Sequence, residues 1–98
     1  MNIPKKVVVG QLKCPIIVKR LDENYGDFDR VTQVINISDE LPDSDIVRLT
    51  LLHELVHAME TNNTAISYLT EPQVDNIANG LYSLIKDNKK LVEWIQNV

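Results

Sequence analysis

The chain has 98 residues, 44% hydrophobic and 24% charged, with a net charge of −4 and a single cysteine. Those values fit one globular domain with a modest core and no intrachain disulfide, which suits a reducing, cytoplasmic setting. They argue against direct nucleic-acid binding, because no Lys/Arg run or basic stripe occurs, and against a membrane span, because no long apolar stretch occurs. The N-terminus, from Met1 to Gly10, has neither the apolar run nor the small-residue site of a secretory signal.

The first third reads as strands. Lys5 to Val9 is short and β-branched. Leu12 to Leu21 alternates, with Leu12, Cys14, Ile16 and Val18 on one side and Lys13, Ile17 and Lys19 on the other. Pro15 lacks an N–H, so it predicts a sheet edge or a bulge. Cys14 reads as a small core residue. Asp22 to Asp27 is a turn by composition. Arg30 to Ser38 reads as the next strand, with Val31, Ile35 and Ile37 on one face, and Ser38 to Ser44 as a loop. Asp43 or Ser44 can cap a helix there, and Asp45 suits its positive first turn.

That helix is expected from about Ser44 to Thr61, ended by Asn62-Asn63-Thr64; Ala65 to Leu69 has no decisive pattern. Thr70-Glu71-Pro72-Gln73 reads as a capping box, with Pro tolerated in the first turn. A second helix then runs to about Lys86, with Val74, Ile77, Ala78, Leu81, Leu84 and Ile85 along one face toward a core. Gly80 would permit close packing there, at about 1 kcal/mol against Ala. Asp87-Asn88 ends it, and Lys89 to Gln96 is a last short helix expected to anchor through Leu91, Val92, Trp94 and Ile95. Strands first and helices after is an α+β pattern.

The chemistry lies in His53-Glu54-Leu55-Val56-His57, an H-E-x-x-H motif containing the chain's only two histidines. Residues four apart share one face of a helix, so both imidazoles can grip one ion, and the intervening Glu can take a proton from a water beside it. Leu49, Leu51, Leu52, Leu55, Val56, Ala58 and Met59 make the helix apolar on most of its circumference, hence buried. Polar groups inside it need partners, and a metal would be one. The competing reading is two core histidines bonded to carbonyls or carboxylates.

A catalytic zinc takes three protein ligands and keeps one position open. No third His remains, and Glu60 and Asn63 stand where the longer H-E-x-x-H-x-x-G-x-x-H pattern needs Gly and His. The donors left are carboxylates: Glu71 at the start of the second helix, Asp75 one turn later, and Glu60 three residues past His57. Their competing readings are a helix-dipole partner for Glu71 and solvated surface acids for the others. An oxyanion stabiliser has Tyr68 as its nearest candidate, against a loop aromatic covering the core. Tyr82 reads as core and Arg48 as a surface charge.

The run Leu51 to Ala58, followed by Glu71-x-x-Val74-Asp75-x-x-Ala78-x-Gly80-Leu81-Tyr82 and Lys86-Asp87-Asn88, resembles small phage- and prophage-encoded zinc metallopeptidases. It is more distantly similar to ImmA/IrrE-type peptidases and to Glu-zincins at large. The resemblance covers roughly Leu49 to Asn88. It implies a minimal zincin-like domain over residues 1–98, with a small N-terminal sheet on the motif helix and two C-terminal helices. It also implies Zn²⁺ on His53, His57 and Glu71, Asp75 orienting a ligand His, and Glu54 as the catalytic base. The expected partner is a protein or peptide substrate, paired to the Arg30–Ser38 strand as a sheet edge. The alternative is a metal-binding regulatory module of phage origin without peptidase activity. The sequence assigns no oligomeric state.

Overall fold

A computed structural model describes residues 2–62 and 69–98. Strands β1 (Lys6–Val9) and β2 (Leu12–Lys19) form an antiparallel hairpin. Gly10 opens its two-residue loop with φ +63, a left-handed value that glycine adopts at no steric cost. A Cβ there would also lie 2.9 Å from the Asn62 carbonyl oxygen. Strand β3 (Gly26–Phe28) and strand β4 (Ile35–Ser38) complete one four-stranded sheet of order β1-β2-β4-β3. β4 runs parallel to β2, pairing Ile16 with Ile35, and antiparallel to β3, pairing Phe28 with Ile35.

Pro15 sits where β2 changes partner. The next residue, Ile16, donates its N–H to Lys5 O toward β1 at 2.8 Å, so the proline nitrogen faces the other side. Pairing with β4 begins only at Ile16. The missing N–H therefore falls where no acceptor waits, and an inner strand tolerates the proline.

Two strand expectations are corrected. Asp22 to Asp27 is not all turn, because β3 begins at Gly26. The stretch from Arg30 to Ser38 is strand only from Ile35. Asp29 accounts for the difference: its Oδ1 accepts from the N–H of Val31 at 2.8 Å and of Thr32 at 3.1 Å. Those two bonds hold its carboxyl below the usual range and offer the backbone a turn in place of a ladder. Val31 is consequently 91% exposed.

Helix α1 (Asp45–Asn62) lies between the sheet and helix α2 (Glu71–Asp87). Toward the sheet, Val47 and Ala58 join Cys14, Ile16, Ile35 and Ile37 in one core cluster. Toward α2, Val56 packs with Val74 and Ala78 in a second. Contact on both sides is why the motif helix is apolar nearly all round. Among the described residues no helix is long and apolar enough to cross a membrane.

α2 opens as the sequence indicates. Thr70 Oγ1 accepts from the Gln73 N–H, and the Gln73 side chain accepts from the Thr70 N–H. Its apolar stripe is buried only in its first half, and Leu84 and Ile85 are exposed. Tyr82 is half-buried rather than core, its hydroxyl bonded to Asp45 beside Lys86. Because α2 runs antiparallel to α1, that contact joins the end of one helix to the start of the other. Helix α3 (Lys89–Gln96) packs on α2 but buries none of its residues, and Trp94 is 75% exposed. The expected anchoring through Leu91, Trp94 and Ile95 is corrected accordingly. Amphipathic periodicity states which face would be buried, not whether a neighbour exists to bury it.

Two glycines make opposite predictions. Among the described residues a Cβ on Gly80 meets nothing within 4 Å, so the expected close packing is not found there. Gly80→Ala should raise stability by about 1 kcal/mol through helix propensity alone. A Cβ on Gly26 would stand 2.8 Å from Thr50 Cγ2 and 3.0 Å from the Asn36 carbonyl oxygen. Gly26→Ala should therefore cost roughly 1–3 kcal/mol by pushing β3 off α1. Urea-denaturation midpoints of the two variants, moving in opposite directions, check both.

Candidate metal centre

α1 projects His53 and His57 from one face, one turn apart, with ring centroids 4.9 Å apart and planes at 66°. The antiparallel course of α2 brings its first two turns against that face. Glu71 Oε2 lies 3.0 Å from His53 Nε2, and Glu71 Oε1 lies 2.9 Å from His57 Nε2. One donor atom from each of His53, His57 and Glu71 falls within 4.8 Å of the others. Asp75, one turn further along α2, has Oδ1 2.7 Å from His53 Nδ1. Glu60 Oε1 lies 2.9 Å from His57 Nδ1, and its Oε2 accepts the Leu69 N–H at 3.0 Å.

An ionised carboxylate only accepts, so the bonds to Asp75 and Glu60 make each Nδ1 the donor. A neutral imidazole then carries its lone pair on Nε2. Both lone pairs face oxygens of Glu71, which also only accept. Three acceptors meet with nothing to share unless extra protons or a cation stand between them. A metal ion fits the donor chemistry: a tetrahedral ion bound at about 2.0–2.2 Å holds its donors roughly 3.3 Å apart, and the three donor atoms here already lie within 4.8 Å of one another. Glu71 is 67% exposed, so its carboxylate has room to adjust.

Glu54 faces away from solvent at 7% exposure. Burial pushes its carboxyl above the usual range, the two histidines oppose that shift, and Asp27 and Glu71 add to it. It lines a cleft of about 840 Å³ shared by both imidazoles, Glu71, Asp75 and β3. The sheet edge beside the cleft is β3, not the Arg30–Ser38 strand: β4 lies inside the sheet, between β2 and β3, so that expected edge is corrected. Ser38 donates to Tyr25 O at 2.8 Å, and Asp29 donates to Val34 O at 2.9 Å. Odd-numbered residues of this segment therefore face β4, and the backbone groups of Gly26 and Phe28 point to the free edge.

The structure brings His53, Glu54, His57, Glu71 and Asp75 into one cluster. Tyr68 lies outside the described residues. Arg48 pairs with Asp43 at 2.7 Å on the surface. Glu60, weighed above as a metal ligand, instead has each oxygen engaged, one on His57 and one on the Leu69 amide. Its place one turn after His57 signalled a contact, but the amide partner is set by the path of the chain into α2. No protein-family model, curated protein or solved structure matches this chain.

The burial of Glu54 predicts a pH-dependent stability difference in metal-free protein. Its folded carboxyl is raised, so the folded state holds the proton more tightly. The corresponding stability is fully present below the unfolded value of about 4.3 and is lost as pH rises through the folded one. Metal-free Glu54→Gln, with no charge to bury, should therefore be the more stable protein near neutral pH. The gap should close on acidification. Thermal midpoints of both proteins across the pH range, in chelator, check this, and a gap independent of pH contradicts it.

Proposed function

We propose that this chain is a zinc-dependent metallopeptidase hydrolysing peptide bonds of a cytoplasmic protein, in the manner of the phage and prophage peptidases its motif resembles. The observation that carries this reading is the meeting of two imidazole lone pairs and one carboxylate beside a buried glutamate on the same helix turn. A purely structural pair of histidines would have its second nitrogens facing donors or water. Here they face another acceptor.

His53, His57 and Glu71 would hold the ion, and Asp75 and Glu60 keep each histidine in the tautomer that exposes Nε2. When bound, zinc would polarise a substrate carbonyl and lower the pKa of a water toward about 7. Glu54 accepts the proton as the water adds to the carbonyl carbon, and returns it to the amine nitrogen as the C–N bond breaks. A carboxyl raised by burial suits that transfer, because it holds an accepted proton more tightly than a solvated one. An extended substrate strand fits the free edge of β3, where Gly26 and Phe28 offer backbone donors and acceptors beside the cleft. The buried, unpaired thiol of Cys14 supports action in a reducing compartment.

Untagged protein should bind about one zinc per chain and cleave a protein or peptide library, with roughly 10²–10⁴-fold less hydrolysis in Glu54→Gln. The variant keeps the three ligands and should keep the metal. Chelation should lower the thermal midpoint of both proteins and zinc should restore it. Zinc bound by the wild type with no hydrolysis of any library member would favour a regulatory metal-binding module. Absence of stoichiometric zinc would remove both readings.

A further inference from the structure

Glu60 occupies a position that the ligand set does not explain. Its side chain is only 5% exposed, and it carries a formal charge into the join between the two helices. A buried carboxylate is costly unless its oxygens are bonded. Both are: one accepts from His57 Nδ1 at 2.9 Å and the other from the Leu69 N–H at 3.0 Å. His57 belongs to α1. Leu69 stands immediately before Thr70, the N-cap of α2, and two residues before Glu71.

We infer that Glu60 is a positioning residue that sets His57 for metal binding and ties the start of α2 to it, so that His57 and Glu71 are placed by one carboxylate. This inference rests on the metallopeptidase reading of the same site. Its chemistry is specific to a carboxylate. Both of its partners are N–H donors, so the side chain between them must accept twice. Glutamine has the same length but only one accepting oxygen. If that oxygen takes the Leu69 N–H, the amide NH₂ faces His57 Nδ1 and favours the tautomer whose Nε2 carries the proton. That tautomer has no lone pair for the metal. If the oxygen takes Nδ1–H instead, the NH₂ meets the Leu69 N–H, donor against donor, and the entry to α2 is pushed away together with Glu71. Asp75 serves His53 through one oxygen, and among the described residues it has no backbone partner comparable to the Leu69 amide. The two acids therefore differ in kind.

The test compares wild type, Glu60→Gln and Asp75→Asn by two readouts. The first is the His57 ring tautomer in metal-free protein, read by ¹⁵N NMR of selectively labelled histidine at a pH where the ring's own spectrum shows it neutral. The second is zinc affinity measured by competition with a chromogenic chelator. Wild-type His57 should be the Nδ1–H tautomer, Glu60→Gln should shift it toward Nε2–H or broaden it, and Asp75→Asn should leave it unchanged. Zinc affinity should fall about 10–100-fold in Glu60→Gln. A Glu60→Asp variant, which keeps two accepting oxygens on a shorter stem, should recover the Nδ1–H tautomer in part. An unchanged His57 tautomer in folded Glu60→Gln overturns the inference, whatever the protein does to peptides. Failure of wild type to bind zinc would count against the metallopeptidase reading alone, because the tautomer is read without metal.

Discussion

The site depends on one reach across a helix pair: a carboxylate from the first turn of α2 placed between two imidazoles of α1. The oxygens of Glu71 lie 2.9 and 3.0 Å from the two Nε2 atoms. With Nδ1 of each ring committed as a donor, the contact is electrostatically incomplete without a positive species among its members. Unpaired acceptors at such distances are costly, and the rest of the architecture serves to hold them there against that cost. Outside the pair, Asp45 with Tyr82 and Lys86 fastens the opposite end of the same antiparallel helices.

The burial of α1 on two sides has a consequence for chemistry as well as for stability. A helix gripped by a sheet and by another helix cannot turn its polar residues to water. Glu54 is therefore buried, with its carboxyl raised by desolvation, and the imidazoles acquire carboxylate partners on their Nδ1 atoms. The side facing β3 stays open as the cleft. Gly26 lets that strand approach α1 closely, since any Cβ would collide with Thr50. A backbone edge thus comes to lie along the cleft that holds the glutamate and the two rings.

The helices were legible because their signals are local. The capping box at Thr70, the apolar periodicity of α2 and the all-round apolarity of α1 each lie within about two turns of sequence. The strands were less legible for a physical reason. β3 has three residues, of which Gly26 and Asp27 are poor strand formers, and its pairing with β4 comes from a turn that Asp29 stabilises with its side chain. Val31 fitted an alternating pattern and is nearly fully exposed. For α3 the sequence reading expected apolar anchoring, yet packing against α2 leaves none of its residues buried. Glu60 looked like a ligand or a surface acid, because nothing near it in sequence indicates that the Leu69 amide returns to meet its second oxygen.

The sequence by itself determined the donor types, their four-residue spacing and the helix that puts them on one face, since these follow from backbone geometry within a single turn. It also narrowed the third donor to a few acids, because no other histidine or free cysteine thiol stood near. Which acid turns inward, which one steadies each ring, and which strand forms the outer edge were decided only in three dimensions. Those outcomes depend on how α2 crosses α1 and how the chain reverses between β3 and β4. Such crossings are set by the packing of whole faces, so the residues they join are separated too widely for any local pattern to announce them.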